Sequence, residues 1–236
     1  MTPLSIVCWK WKPLRGTIST RKTVPYIAED VNRLQMMLLK HYHEPFQLIC
    51  VTDDPTGLSS EIKIVPLWDE FRNKGGCFTR LGAFKRDIGT VFGPRFVSID
   101  LDCVIVGDIT PLFDRTEDFI IWGSHGGKTQ YCGSLWMMDA GCRPQVYERF
   151  DPVNYQIRNG RYGGGGTDQF HISKVLSNEA IWTKLDGIYA YRKLGKDSSL
   201  PNEAKLIFFN GPFHPRQEIV HECYPWVTEH YGPAKA

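Results

Sequence analysis

Short apolar runs separated by polar turns mark the first part of the chain and predict strands and one helix. Leu4–Trp9 has the pattern of a buried strand, and apolar side chains recur at helical spacing over Tyr26–His41. A second apolar run, Phe46–Val51, ends in the turn-forming residues 52–57, and Ile62–Leu67 forms a third run. Alternation of strands with a helix is typical of βαβ units on a parallel sheet.

The pattern continues through the rest of the chain. Residues 78–92 have the pattern of a helix that leads into the strand Arg95–Ile99, and the apolar run Cys103–Val106 follows. Farther on, we expect a strand at Tyr131–Met138, a helix at Thr167–Leu176 with Thr167 as its N-cap, and a strand at Leu206–Phe209. The sequence therefore predicts a single α/β domain over residues 1–236, with a central mixed, mostly parallel sheet flanked by helices.

Composition supports a globular protein and leaves its partners open. Of the 236 residues, 42% are hydrophobic and 13% are aromatic, which is enough for a substantial core. The 28 basic and 26 acidic residues give a net charge of +2, which neither indicates nor excludes a nucleic-acid partner. The first apolar run begins at Leu4, and no stretch of about 18 apolar residues occurs. We therefore expect a cytoplasmic protein without a transmembrane segment.

The cysteines favour free thiols over a disulfide or zinc framework. They are Cys8, Cys50, Cys77, Cys103, Cys132, Cys142 and Cys223. Their number is odd, C-x-x-C spacing is absent, and several lie inside apolar runs. These features predict core thiols in a reducing compartment.

An acidic pair, Asp100 and Asp102, stands between the apolar runs Arg95–Ile99 and Cys103–Val106. In an extended chain these two carboxylates would project together, roughly 6–7 Å apart at the backbone, and Leu101 would point into the core. Two hard oxygen ligands on one face suit Mg²⁺ or Mn²⁺, which substrate phosphates usually help to hold. The alternative is a turn Asp and a cap Asp, but desolvating two carboxylates is costly without a cation or hydrogen bonds.

Several motifs occur in one order over roughly residues 4–215. They are Thr79-Arg80-Leu81, the segment Phe96–Phe113 that holds the acidic pair, the strand Tyr131–Asp139, the helix start Gly166-Thr167-Asp168-Gln169, and Gly211–Pro215. This order resembles that of glycosyltransferases of the GT-A fold, specifically the glycogenin and bacterial galactosyltransferase family (glycosyltransferase family eight). The resemblance implies a nucleotide-diphosphate sugar as donor, Mn²⁺ or Mg²⁺ as cofactor, and retention of the anomeric configuration.

The resemblance also implies roles for individual residues. These are Asp100 and Asp102 as metal ligands, Asp100 and Arg80 toward the donor diphosphate, Gly133 and Ser134 beside the donor sugar, and Asp168 and Gln169 at the reacting face. Two positions depart from the family pattern, because Phe208 stands where a metal-binding His is usual and His214 stands where a Lys is usual. Asn210, His214 or water could supply the third metal ligand, and a protonated His214 could contact the leaving diphosphate.

Other positions have structural alternatives of similar weight. Trp9 and Lys10 end the first strand, where such folds receive the nucleotide base, but a core Trp and a solvated Lys fit equally well. Gly163–Gly166 lacks the Lys-Ser/Thr of a P-loop, so we expect a mobile loop before the Thr167 helix. Arg80 could be a helix-surface Arg, and Asp168 could be an N-terminal Asp favoured by the helix dipole.

The sequence therefore predicts a metal-dependent transfer of a sugar from a nucleotide-diphosphate sugar to an acceptor hydroxyl. The acceptor is open among a glycan, a protein, a small molecule and a modified nucleic acid. One alternative is a sugar-nucleotide nucleotidyltransferase, although the residues after the first strand, Trp11-Lys12-Pro13, are not the glycine-rich loop that it needs. Another is an inactive sugar-nucleotide-binding module, which the missing tail His makes conceivable.

Overall fold

A computed structural model gives the fold. It describes residues 2–12, 25–71, 77–124, 129–151, 157–158, 161–162, 167–194 and 198–234. The expected glycine loop at 163–166 lies outside these residues, as does Pro13. Within them, no helix is long and apolar enough to cross a membrane.

Twelve strands occur in the described ranges, and most lie where apolar runs predict them. They are β1 (Leu4–Lys10), β2 (Phe46–Thr52), β3 (Lys63–Pro66), β4 (Arg95–Ile99), β5 (Cys103–Ile105), β6 (Phe119–Gly123), β7 (Tyr131–Asp139), β8 (Ile157–Arg158), β9 (Arg161–Tyr162), β10 (Ala180–Trp182), β11 (Ile188–Ala190) and β12 (Leu206–Phe208).

The helices of the same ranges are short apart from the first. They are α1 (Ala28–His41), α2 (Gly89–Phe92), α3 (Thr110–Phe113), α4 (Gln145–Glu148), α5 (Asp168–Val175), α6 (Glu218–Cys223) and α7 (Trp226–Tyr231). Four 3₁₀ segments, Asp69–Phe71, Cys77–Phe84, Lys184–Asp186 and Tyr191–Lys193, connect other elements. Thr167 caps α5 as expected, because its hydroxyl accepts a hydrogen bond from the Phe170 amide at 3.3 Å.

The main sheet has the order β10-β6-β7-β4-β1-β2-β3. Neighbours pair in parallel except where β7 runs antiparallel to both β4 and β6. A smaller sheet has the order β11-β12-β5, in which β12 pairs antiparallel with β5. The predicted α/β class with a mixed, mostly parallel central sheet is therefore confirmed.

Both faces of the main sheet are buried, so its central strands are mostly apolar instead of alternating regularly with polar residues. Ile6 belongs to the hydrophobic cluster that includes Leu34 of α1, whereas Val7 belongs to the opposite cluster that includes Trp136. Leu101 lies in the first cluster and is 1% exposed, as expected from its place between the two carboxylates.

The expected helix over residues 78–92 is wrong in type. The chain forms a 3₁₀ segment at Cys77–Phe84, then a turn, then the single turn of α2. At Gly82 an added Cβ would lie 2.5 Å from the ring of Trp68, so the segment is pressed against an aromatic side chain. The Lys85 amide bonds to the Gly82 carbonyl, three residues back, at 3.3 Å, which is the 3₁₀ spacing. Tertiary packing overrides the helical periodicity here.

The central strand β1 supports a direct test of the core. Ile6→Ala should lower the free energy of unfolding by about 2–5 kcal/mol. Ile6 is 0% exposed, so truncation of its side chain removes buried apolar atoms and leaves a cavity in the core. Ile64→Ala is the control, since Ile64 is 37% exposed on the edge strand β3. Urea unfolding of the two variants checks this, and equal losses would contradict the assignment of β1 to the centre of the core.

Candidate active site

The acidic pair lies where the chain leaves the main sheet for the smaller one. Asp100 follows β4, and its amide donates to the carbonyl of Ser134 on β7 at 2.9 Å. Asp102 precedes β5, and its carbonyl accepts from the amide of Phe209 at 2.7 Å. Three distant segments thus meet at the carboxyl end of β4, the edge where open α/β sheets usually bind ligands.

Arg80 connects the acidic pair to α5. One terminal nitrogen, Nη1, pairs with Asp100 Oδ1 and also donates to the carbonyl of Gly133 at 3.1 Å. The other, Nη2, lies 2.7 Å from Asp168 Oδ2. The guanidinium is buried, so Arg80 is not a surface residue but a bridge between two carboxylates.

Gly133 is required by the close approach of Asp168. A Cβ at this position would lie 2.8 Å from Asp168 Oδ2, the oxygen that pairs with Arg80. Any larger residue would therefore displace the carboxylate from the guanidinium. The expected role of Gly133 beside a donor sugar stays a prediction, whereas its fit against Asp168 is a feature of the structure.

Asp168 and Gln169 open α5, and both lie at this edge of the sheet. Asp168 is 1% exposed. Burial raises the pKa of its carboxyl, and the positive charge of Arg80 opposes that rise. Gln169 is partly exposed, and its Nε2 donates to Thr129 Oγ1 at 3.4 Å.

The carboxyl groups of the site outnumber its cations, because Arg80 pairs with Asp100 and Asp168 and only influences Asp102 through its charge. Burial raises the pKa of Asp102 to about 7, and the charge of Asp100 adds to the rise. Asp100 and Asp168 hold the pKa of Arg80 well above its usual range, although burial acts against the charged form. A cation would therefore be attracted to Asp102.

Two buried oxygen atoms at this position have neither a hydrogen-bond partner nor an ion-pair partner among the described residues. They are Asp102 Oδ1 and Asn210 Oδ1. The amide nitrogen of Asn210 donates to Ser134 Oγ at 2.7 Å, which leaves the amide oxygen as the free atom. Hard oxygen atoms of this kind fit Mn²⁺ or Mg²⁺. Among the residues described, no three His, Cys, Asp or Glu side chains are grouped to hold a metal, so a cation here would need water or substrate oxygens as well.

The structure brings most of the predicted site residues together. Arg80, Asp100, Asp102, Gly133, Ser134, Asp168 and Asn210 are joined by the contacts above, with Gln169 beside them. Trp9, Lys10 and His214 make none of these contacts, and their expected roles at a donor stay predictions.

Trp9 is a core residue. Its indole is 1% exposed, donates to Ser98 Oγ at 2.8 Å and packs at 6.0 Å from the Trp68 ring. Lys10 is buried too, and its ammonium bonds to the carbonyl of Asp54 and, at 3.4 Å, to Thr52 Oγ1. The polar atoms of both side chains are thus bonded within the protein, and the expected contacts with a nucleotide base stay a prediction.

His214 lies behind the site and is 3% exposed. Its Nδ1 accepts a hydrogen bond from the Arg216 amide at 3.2 Å, and its ring lies 5.6 Å from that of Tyr26. Burial lowers the pKa of His214 to about 4. The negative charge of Asp30 opposes this effect, and the positive charges of Arg216 and Arg33 add to it. A neutral, buried imidazole cannot supply the positive charge expected at a leaving diphosphate.

Sequence reasoning missed Tyr26 and Cys77, whose pKa values the acidic residues influence. Burial raises the pKa of the Tyr26 hydroxyl well above its usual range, and the negative charge of Asp102 adds to the rise. Burial raises the pKa of the Cys77 thiol to about 12, with the charge of Asp168 adding to the effect. In the sequence, Tyr26 could have been noticed as an aromatic residue just before α1, whereas nothing in the local sequence marks Cys77.

No protein-family model matches the sequence, and no curated protein matches it either. The fold does match solved structures. The galactosyltransferase LgtC, in complex with donor and acceptor sugar analogs, superposes with a TM-score of 0.58 at 9% identity over 99% of this chain and 97% of that one. The apo-form glycosyltransferase GlyE of Streptococcus pneumoniae TIGR4 gives a TM-score of 0.59 at 10% identity, over 92% of this chain and 57% of GlyE.

These likenesses define the class of fold, which is the GT-A fold of glycosyltransferases. Within that class the chain is similar in fold to the galactosyltransferase LgtC over nearly its whole length, so the expected GT-A fold is confirmed. At these identities the likeness concerns the fold alone.

Burial of His214 predicts a loss of stability in acid. The unfolded chain binds a proton at this residue below about pH 6.5, whereas the folded chain binds it only near pH 4. Stability should therefore fall as the pH drops through this window. His214→Asn keeps an acceptor for the Arg216 amide. It should remove the contribution of His214 to the pH dependence of stability. Melting temperatures of both proteins from pH 7 to pH 4 check this, and parallel curves would contradict it.

Proposed function

We propose that the protein is a metal-dependent glycosyltransferase that moves a sugar from a nucleotide-diphosphate sugar to an acceptor hydroxyl, with retention of configuration. The observation that carries the proposal is the meeting of Asp100, Asp102, Asn210 and Asp168 around Arg80 at the ligand-binding edge of a GT-A sheet. The likeness to LgtC, whose structure holds donor and acceptor sugar analogs, supports the same class of reaction.

Asp102 and Asn210 would hold Mn²⁺ or Mg²⁺ through their free Oδ1 atoms, together with Asp100. Such ions commonly keep one or two protein carboxylates and take the remaining ligands from water and substrate phosphates. When bound, the ion supplies positive charge that stabilises the leaving diphosphate.

The chemistry that the site must support is a substitution at the anomeric carbon. The bond from that carbon to the diphosphate oxygen breaks, and its electron pair leaves with the diphosphate. A new bond forms from the acceptor oxygen to the same carbon, and the acceptor proton passes to a phosphate oxygen of the leaving group. Protein groups therefore need to orient the two substrates and exclude water more than to form bonds themselves.

Arg80 and Asp168 would each help to orient the substrates. Arg80 is held by Gly133 and Asp168, and in turn it fixes one oxygen of Asp100. Asp168 and Gln169 stand at the start of α5, where we place the reacting face. The Gln-to-Glu active-site mutant of LgtC, with a TM-score of 0.58 and 9% identity, shows that a Gln belongs to the active site of that enzyme.

Asp102→Ala should abolish Mn²⁺-dependent binding of nucleoside diphosphates while leaving the fold intact. The metal-free variant should melt no lower than the unaltered chain, because the substitution relieves repulsion from Asp100. Calorimetric titration of a panel of nucleoside diphosphates with Mn²⁺ measures the binding. Asp108→Ala is the matched control, since Asp108 lies on the same segment and is exposed.

Unchanged affinity in Asp102→Ala would remove the metal from this site. Hydrolysis of nucleotide sugars by the unaltered chain in Mn²⁺ then separates the classes of function. Release of the nucleoside diphosphate fits a glycosyltransferase, release of the nucleoside monophosphate fits a nucleotidyltransferase, and binding without hydrolysis or transfer fits an inactive module.

Asp168→Asn should lower kcat by about 10²-fold or more and leave donor affinity nearly unchanged. This is the result expected for an interaction made chiefly in the transition state. Asn keeps the shape and leaves Arg80 paired with Asp100. Steady-state kcat and calorimetric donor affinity, measured on the same preparation, check this. A loss of donor or Mn²⁺ affinity with intact turnover at saturation would instead assign Asp168 to holding Arg80 and Asp100.

A further inference from the structure

Ser134 makes two hydrogen bonds that join separate segments of the acidic site. Its carbonyl accepts from the backbone amide of Asp100 at 2.9 Å, and its hydroxyl oxygen accepts from the side-chain amide of Asn210 at 2.7 Å. Ser134 is 3% exposed and lies on β7, inside the main sheet. One buried serine is therefore bonded to two of the three residues proposed to hold the cation.

These two hydrogen bonds belong to a closed ring of contacts. Asp102 lies two positions after Asp100, its carbonyl accepts from the amide of Phe209 at 2.7 Å, and Asn210 is the next residue of the chain. The ring thus runs along the chain and across hydrogen bonds through Asp100, Ser134, Asn210, Phe209 and Asp102. All three proposed metal ligands belong to it, so their relative positions depend on each of its bonds.

Only one bond of the ring joins two side chains. The bonds from Asp100 to Ser134 and from Phe209 to Asp102 join backbone groups. The third bond needs the hydroxyl of Ser134 and the side-chain amide of Asn210. The oxygen of that same amide, Oδ1, is buried and has no hydrogen-bond partner among the described residues. A substitution of Ser134 can therefore remove this bond and leave the two backbone bonds in place.

We infer that Ser134 is a positioning residue whose hydroxyl orients the Asn210 amide, so that the amide oxygen can act as a ligand of a divalent cation. The inference deepens the proposed function and rests on it. A hydrogen bond to the amide nitrogen restricts rotation of the planar amide, so its oxygen loses less freedom when it binds a cation. Groups that hydrogen-bond to a metal ligand typically change metal affinity about 10–100-fold when they are removed.

The competing explanation is the opposite orientation of the Asn210 amide. A hydroxyl can donate as well as accept, so Ser134 could bond to the amide oxygen and leave the amide nitrogen as the free atom. An amide nitrogen carries two hydrogens and is no ligand for a hard cation. In that case loss of the Ser134 hydroxyl would leave Mn²⁺ affinity unchanged or would raise it.

Ser98 provides a matched control. It is 1% exposed on the neighbouring strand β4, and its hydroxyl accepts a hydrogen bond from the buried indole of Trp9 at 2.8 Å. Ser98→Ala and Ser134→Ala therefore remove the same atom from the same sheet, and each leaves one donor without its acceptor. Both variants should lower the melting temperature for that reason. In the described part of the chain, only the Ser134 hydroxyl bonds to a proposed metal ligand.

The test measures the affinity of the full chain for Mn²⁺ alone, by electron paramagnetic resonance of the free ion. Ser134→Ala should weaken Mn²⁺ binding about 10–100-fold, and Ser98→Ala should leave it unchanged. Asn210→Ala should weaken binding at least as much as Ser134→Ala, because it removes the ligand itself. The double variant should bind no more weakly than Asn210→Ala, since Ser134 acts through the amide that is already missing.

A second measurement does not depend on the metal. In metal-free protein, the side-chain amide hydrogens of Asn210, observed by nuclear magnetic resonance, should exchange with water faster in Ser134→Ala than in the unaltered chain. Ser98→Ala should leave this exchange rate unchanged. Exchange that stays equally slow in Ser134→Ala would overturn the inference, because the hydroxyl would then not hold the amide.

The outcomes separate the inference from the function on which it rests. An unaltered chain that binds no Mn²⁺ would overturn the proposed function and the inference together. Mn²⁺ binding that is kept or strengthened in Ser134→Ala, or that falls additively in the double variant, would overturn the inference alone. Equal losses of Mn²⁺ affinity in Ser134→Ala and Ser98→Ala would do the same, because they would show a purely structural role.

Discussion

The arrangement of the acidic residues depends on the buried guanidinium of Arg80. A charge removed from water is costly unless partners compensate it, and here Asp100 and Asp168 do so from opposite sides. Loss of Arg80 would leave the buried carboxylate of Asp168 without its cation. The ion pairs therefore fix the relative positions of three elements: the 3₁₀ segment that carries Arg80, the strand β7 and the start of α5.

The same constraint accounts for two features that look unrelated. Position 133 cannot carry a side chain, because the Asp168 carboxylate passes close to it on the way to Arg80. A Cβ at this position would lie 2.8 Å from Asp168 Oδ2. The 3₁₀ geometry of Cys77–Phe84 delivers Arg80 to the site while Phe84 packs 4.9 Å from the Trp136 ring on the sheet. Charge pairing and aromatic packing thus specify one backbone path.

The sequence was informative where a local pattern decides the outcome. Long apolar runs such as Leu4–Trp9 and Tyr131–Met138 became strands, and the carboxylates beside Leu101 lie at a strand end as expected. It was uninformative for three-residue strands such as Ala180–Trp182, whose pairing comes from neighbours and not from periodicity. The environments of Trp9 and His214 were also invisible, because burial is a property of tertiary packing.

Asp102 and Asn210 belong to the margin of the smaller sheet, whereas Asp100 and Ser134 belong to the main sheet. A ligand that binds oxygen atoms from both margins favours the state in which the two sheets are docked. By mass action such a ligand adds RT ln(1 + [L]/Kd) to the free energy of that state, about 2.7 kcal/mol at a hundredfold excess over Kd. Ligand binding at this edge and docking of the two sheets are therefore thermodynamically linked. A change in the ligand affinity and the matching change in the stability of the docked state report the same coupling free energy.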